Sequence, residues 1–372
     1  MSYLTIFNNQ YNIGYLCTSR QVENGLGDKI ALQLVSPDLN QQCFTFLDLD
    51  RKTNQFANIL KEYGFLSGDH LAILLPKCLE QFIAFLGALK AQVVVVSLFS
   101  NLGEDAIIDR LMDSGAKAIV TKHTLFRKIS KRINQLPHIK KIILIDEQTE
   151  QSGIIVNYQD EIKFSATQFN CQVTPPDTPS IVHYTSGSTG KPKGVLHVHR
   201  SILQINETCK DVLGVTPETL YWCTADQGWI TGTSYGIIGP WSIGATQVHF
   251  SGAYNAESWF WILQEKRINI WYTAPTALRM LMREDEEKLK SYDLFSLKHI
   301  SSVGEPLNPE IIHWAKRLFN KDIFDTWFQT ETGAIMIANF AGLPIKPGSM
   351  GKPVRGIEAA IILEDFKKAE RW

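Results

Sequence analysis

The sequence carries no excess of charge of either sign. Over 372 residues, 37 Lys and Arg oppose 38 Asp and Glu, a formal net charge of -1 with histidine neutral. A nucleic-acid surface needs a basic excess or a stripe of Lys and Arg, so no nucleic-acid partner is expected. Cysteine is sparse. Cys17, Cys43, Cys78, Cys171, Cys209 and Cys223 form no CxxC pair and have no histidine at zinc spacing. Reduced thiols follow, and a disulfide scaffold or zinc module is excluded. The start holds no apolar signal core, because Asn8, Asn9, Gln10 and Asn12 occupy that place. Phe82 to Phe99 is almost continuously apolar, but Lys90 and Gln92 interrupt it and its second half is Val93-Val94-Val95-Val96. A helix followed by a buried strand explains that switch better than a spanning helix of about 20 residues. The expectation is a soluble, cytoplasmic chain with no membrane partner, no fixed-period repeat and no low-complexity tract.

What is present is core material. At 44% hydrophobic residues the chain can fill two or three domains of about 150 residues each. Helices are expected over Asp48–Tyr63, Cys78–Leu89 and Glu104–Ser114, with strands at His70–Leu75, Val93–Val96, Ala118–Thr121 and Ile139–Ile145. Later strands (Ser180–Tyr184, Ala245–Phe250, Ile268–Tyr272, His299–Val303) alternate with helices Ala256–Glu265, Pro275–Met282 and Pro309–Phe319. Alternation of this length implies an α/β fold with parallel sheets and crossover helices. Between Glu150 and Pro179 the pattern fades into polar and proline residues, which places a boundary there. The charged run Arg283–Lys290 reads as a solvated helix face.

The most distinctive segment is YTSGSTGKPKGV, Tyr184 to Val195. A strand enters a loop in which Gly187, Gly190 and Gly194 let backbone N–H groups turn inward around an anion, where a Cβ would block the approach. Thr185, Ser186, Ser188 and Thr189 add hydroxyl donors, and Lys191 and Lys193 add charge. A flexible linker needs neither lysines nor a leading strand. The P-loop pattern G-x-x-x-x-G-K-[ST] also fails, since Thr185 stands five before Gly190 and Pro192 follows Lys191. Phosphate is bound here by another design.

This loop resembles the signature of the adenylate-forming superfamily of acyl-CoA synthetases, luciferases and peptide-synthetase adenylation domains. GDHLAILLP (68–76), LGALKA (86–91) and DSGAKAIVT (113–121) are similar to its first subdomain. TADQGWITGTSYG (224–236), WYTAPTALRML (271–281), SVGEPLNPE (302–310), DTWFQTETG (325–333) and IKPGSMGKP (345–353) look like the acetyl-CoA synthetase family within it. The likeness covers nearly the whole chain and is weakest over the first forty residues. It implies two large parallel-sheet αβα subdomains, at 1–175 and 176–340, and the start of a third, β subdomain at 341–372.

It further implies a two-step activation of acetate or another short carboxylate: attack on the α-phosphate of ATP to give acyl-AMP and pyrophosphate, then displacement of AMP by coenzyme A. The first step needs positioning and charge neutralisation more than covalent help. By resemblance, Thr185, Ser186, Gly187, Ser188, Thr189, Gly190, Lys191 and Lys193 close over the β- and γ-phosphates. Gly304, Glu305 and Pro306, with Asp325, Thr326, Trp327, Phe328, Gln329 and Thr330, border adenine and ribose. Thr330 contacts the α-phosphate and Glu331 holds Mg²⁺, a hard cation that needs only one or two carboxylates beside phosphates. Trp229, Ile230, Thr231, Val303 and Phe328 line the acyl pocket, and Thr231 and Asn255 meet coenzyme A. Many acetate enzymes have Trp where this chain has Phe328 and Val where it has Ile230, which leaves acetate and propionate both open.

A full member of the superfamily continues well past Trp372, with a ribose-binding aspartate, an arginine near the phosphates, a hinge, and a mobile domain whose lysine drives adenylation. Lys367 and Lys368 do not replace that lysine. The 372 residues are therefore expected to bind ATP weakly and turn over poorly alone. A second enzyme reading keeps the chemistry with a medium-chain or aryl carboxylate, against which Phe328 argues, and a non-catalytic remnant is the reading from another class. Oligomeric state is not legible.

Overall fold

A computed structural model describes residues 9–146, 153–185 and 192–363. Two sheets carry the chain. In the seven-stranded sheet the spatial order is Ile155–Asn157, Lys141–Leu144, Ala118–Thr121, His70–Leu74, Val94–Leu98, Pro179–Thr185, Lys193–Val198. Every pairing in it is parallel except the last. The nine-stranded sheet runs Lys352–Pro353, Ile337–Ala338, Ile323–Trp327, His299–Ser302, Ile270–Thr273, Leu220–Cys223, Thr246–Phe250, Ile30–Val35, Gln41–Thr45. Its centre is parallel and its margins antiparallel. The α/β architecture expected from the alternation is the one observed.

The local causes are visible in the sequence. Helix Phe46–Glu62 starts at Thr45, whose hydroxyl accepts from the Asp48 amide while the Asp48 carboxylate accepts from the Thr45 amide. Helix Glu104–Ser114 stops at Gly115, which takes the left-handed conformation at φ 61°. Helix Leu79–Lys90, apolar on nearly every face, is buried against Phe46–Glu62 and Ile13–Cys17. The crossings are tight: a Cβ on Gly14 would lie 2.3 Å from the Leu86 carbonyl oxygen. Lys90 sits inside this layer. Its ammonium pairs with Asp50 at 2.6 Å and with the Asn54 side-chain oxygen at 2.6 Å, which is what makes a buried charge tolerable. Among the described residues no helix is long and apolar enough to cross a membrane.

Two expectations change. The alternation does not fade at Glu150: strand Ile155–Asn157 and helix Tyr158–Phe164 extend it, the helix capped by the Asn157 side chain. Three and seven residues are too short for periodicity to register. Nor does a boundary at 175/176 follow the sheets. The hairpin Ile30–Thr45 lies in the nine-stranded sheet, where Leu32 pairs beside Gln247, and strands Pro179–Thr185 and Lys193–Val198 lie in the seven-stranded sheet, where Val95 pairs beside Ile181. Hydrogen bonding across distant sequence decides sheet membership, and composition does not report it.

Candidate active site

A cavity of 680 Å³ opens where the central parallel strands of the nine-stranded sheet end. Thr273 ends one of those strands, Thr224, Val303 and Phe328 directly follow three others, and all four line it, the usual place for a ligand in an open α/β sheet. A second cavity of 420 Å³ adjoins it, sharing Thr224, Asp226, Tyr254 and Trp259. There the Lys77 ammonium donates to the Thr224 carbonyl at 2.8 Å.

The wall from strand Ile323–Trp327 is a buried polar network. Asp325 accepts from the Ser302 hydroxyl at 2.9 Å, and its amide donates to the Asn339 side chain. Burial raises the Asp325 carboxyl to about 6, with the Ser302 and Thr326 hydrogen bonds pulling the other way. Thr326 donates to the Ser302 carbonyl at 2.8 Å and shares a bond with the Tyr272 hydroxyl at 2.7 Å. Tyr235 stands edge-on to both Tyr272 and Phe328, and its hydroxyl takes the Ile335 amide and bonds Thr208. Phe328 is thereby fixed from behind.

The apolar end is set by the turn before helix Ile230–Thr233. Gly228 donates its amide to Asp226, and a Cβ there would lie 2.5 Å from the Phe99 ring. Phe99 meets Trp229 edge-on at 4.5 Å. Ile230, Thr231, Val303 and Phe328 are all buried and line the cavity, whereas Trp229 is 57% exposed at its rim. His183 holds this turn from the other sheet, with Nδ1 3.1 Å from the Gly228 carbonyl and Nε2 2.8 Å from the Thr233 hydroxyl. A carbonyl only accepts, so Nδ1 carries a proton. Burial drives its pKa down to about 3.

The phosphate segment is a hairpin. Strand Pro179–Thr185 returns as Lys193–Val198, and Thr185 faces Lys193 at its open end. Lys193 and Gly194 are exposed. The return strand was not legible in the sequence, because Lys193, Gly194 and Leu196 give it no apolar alternation. Ser186, Gly187, Ser188, Thr189, Gly190 and Lys191 lie outside the described residues.

The turn after strand Ile323–Trp327 holds Thr330 and Glu331. Thr332 closes it by accepting from the Gln329 amide, and Gly333 turns the chain at φ 74°. His197 donates from Nε2 to the Thr330 carbonyl at 2.8 Å, and Ser234 donates to the Gly333 carbonyl at 2.7 Å. Burial lowers the His197 pKa, opposed by the Thr330 carbonyl and by nearby Glu331. Glu331 itself is exposed.

The cavity thus gathers Trp229, Ile230, Thr231, Val303, Gly304, Glu305, Phe328, Gln329 and Thr330. Asp325 and Thr326 stand behind it. Pro306, Trp327 and Asn255 are not among its lining residues. Asn255 is an exposed N-cap, accepting from the Ser258 amide at 2.8 Å. The Glu305 carboxylate is engaged by Thr276 at 2.7 Å and by an ion pair with Arg279. The sequence reading missed His183, His197, Tyr235 and Phe99. The polar types His183 and His197 on either side of a glycine-rich loop were the available signal.

The family profile for AMP-binding enzymes matches residues 19–370. The chain belongs to the AMP-binding enzyme family. It is 42% identical over 352 residues to the acetyl-coenzyme A synthetase of Bacillus subtilis (strain 168), covering 94% of this chain and 61% of that protein. To the acetyl-coenzyme A synthetase of Deinococcus radiodurans it is 35% identical over 382 residues, covering 96% and 58%. This AMP-binding enzyme therefore spans about three fifths of the length of those relatives. Among solved structures, a Brucella canis acyl-CoA synthetase matches with a TM-score of 0.87 at 27% identity, over 96% of this chain and 65% of that one. The anthranilate CoA ligase AuaEII in complex with anthranoyl-AMP matches with a TM-score of 0.89 at 26% identity, over 99% and 69%.

Proposed function

We propose that this chain carries the nucleotide and acyl site of an acetate–CoA ligase, AMP-forming, acting in the cytoplasm. In the first step a carboxylate oxygen attacks the α-phosphorus of ATP, the bond to the β-phosphate breaks, and pyrophosphate leaves. In the second the coenzyme A sulfur attacks the acyl carbon, and AMP leaves with the bonding electrons. The observation that carries the reading is one cavity with a short apolar end, closed by Ile230, Val303 and Phe328, beside a polar end that bears Thr330.

The chain's own groups have distinct tasks in this reading. Asp325 to Gln329, with the open backbone at Gly304, border adenine and ribose; Gly304 takes φ 91° and nothing stands within 4 Å of where a Cβ would be. Glu305 contributes through its backbone, its carboxylate being committed to Arg279 and Thr276. Thr330 meets the α-phosphate, and Thr185 to Lys193 cover the outer phosphates. The donor set fits Mg²⁺ delivered with a nucleotide: Glu331 offers one exposed carboxylate, and among the described residues no three His, Cys, Asp or Glu side chains form a metal cage. Mg²⁺ held there supplies charge neutralisation on the phosphates. Coenzyme A is assigned to Thr231, which lines the cavity, and to the side of the cavity near Asn255.

Phe328 in place of a larger ring favours propionate as a second substrate, because one methylene is worth only about 1–3 kcal/mol of discrimination. The test is pyrophosphate release from Mg–ATP by this chain with acetate, propionate, butyrate and hexanoate in parallel. Acetate or propionate leading, with butyrate behind, is the expected order. Hexanoate leading contradicts the pocket assignment.

A further inference from the structure

His197 does not line the cavity, yet it links the phosphate hairpin to the turn that bears Thr330. It lies on the return strand of the phosphate hairpin, four residues past Lys193, paired beside Ile181. Its backbone carbonyl is held by the Ser180 hydroxyl at 3.0 Å, so the strand has little freedom to slide there. Its side chain leaves the seven-stranded sheet and reaches the turn that follows strand Ile323–Trp327 of the nine-stranded sheet. There Nε2 donates to the Thr330 carbonyl at 2.8 Å, and the ring covers Gly333 so closely that a Cβ on Gly333 would lie 2.9 Å from the ring carbon between the two nitrogens. That contact and the φ of 74° both require glycine at position 333. On its far side the same turn is held by Ser234 through the Gly333 carbonyl.

We propose that His197 is a positioning residue that fixes the Thr330–Glu331 turn to the phosphate hairpin, so that both contacts to the phosphates are set by one strand. This rests on the nucleotide-site reading above. The chemistry requires such a link, because the α-phosphate contact from Thr330 and the outer-phosphate contacts from the hairpin come from different sheets, and a misplacement of about 1 Å between them is costly. A hydrogen bond from a half-buried donor to a main-chain carbonyl is a direct way to hold that spacing.

Two amide substitutions separate the role from folding. In His197→Gln the amide nitrogen reaches about as far as Nε2, whereas in His197→Asn it stops near the position of Nδ1 and falls short of Thr330. Titration calorimetry on the 372-residue chain would compare Mg–ATP with adenosine. For His197→Asn the expected result is about a tenfold loss of Mg–ATP affinity with adenosine affinity unchanged, the size of one lost hydrogen bond. His197→Gln is expected to stay within about threefold of wild type for both ligands. Equal Mg–ATP affinity in all three proteins overturns the proposal, as does a parallel loss for both ligands, which marks a merely structural role. If the wild-type chain binds neither ligand, the nucleotide-site reading itself falls and this proposal falls with it, an outcome distinct from the other two.

Discussion

At the edge of the seven-stranded sheet, Thr185 and Lys193 face each other at the mouth of a hairpin, and Lys193, Gly194 and Leu196 are exposed to water. In the nine-stranded sheet, Thr326 and Tyr272 are buried and hydrogen-bonded to each other, and Phe328 rests on the ring of buried Tyr235. In the proposed reading, charge recognition rests on exposed side chains that stabilise the fold little, and shape recognition rests on the core. Substitutions on the first flank should separate binding from stability, and substitutions on the second should not.

Acid should break both flanks together and gives the largest effect. His183 and His199 have pKa values near 3 and His299 near 4, all pushed down by burial, and His249 is lowered well below the usual range. Above about pH 6.5 these rings are neutral in folded and unfolded chains alike. Below it the unfolded chain takes up protons that the folded one refuses, so stability falls as pH drops from 6.5 toward 4. Each ring contributes up to about 1.4 kcal/mol per pH unit. Denaturant melts at pH 7, 6 and 5 measure the slope, and a flat profile would contradict neutral burial.

Phe328→Ala attacks the shape flank. Removing a nearly buried ring is expected to lower stability by about 3–5 kcal/mol and to shift acid preference toward longer chains, read by urea melts and by pyrophosphate release with hexanoate. Tyr235→Phe is a milder blow. It deletes the acceptor of the Ile335 amide and the bond to Thr208, at an expected cost of about 1–2 kcal/mol and weaker nucleotide binding. Lys193→Ala sharpens the contrast from the other side. Stability should change by no more than about 0.5 kcal/mol, while Mg–ATP affinity drops several-fold and becomes less sensitive to salt.

Legibility in the sequence followed the same division. Strands such as Ala118–Thr121 and helices such as Glu104–Ser114 were readable because apolar runs between glycine and capping signals state their type directly. The phosphate reading of Tyr184–Val195 came from composition, glycines and hydroxyls followed by two lysines, with no apolar period to explain them. Strand Lys193–Val198 was not, since an edge strand with exposed Lys193, Gly194 and Leu196 carries no burial pattern. Sheet membership of Ile30–Thr45 was not either, because its partner Thr246–Phe250 is some two hundred residues away. Asn255 carries a local role that the resemblance did not state: its side chain caps helix Ala256–Glu265. His183 and His197 are single residues whose meaning depends on which carbonyl the other sheet presents.

The most direct test is calorimetric titration of the chain with AMP and with its ethyl, propyl and hexyl phosphate esters, which mimic acyl-adenylates of increasing length. The expected result is an ethyl or propyl ester roughly tenfold tighter than AMP, from burying two or three carbons against Ile230, Val303 and Phe328, with the hexyl ester weaker than either. A hexyl ester that binds tightest, or esters no tighter than AMP itself, would contradict a short acyl pocket joined to a nucleotide site.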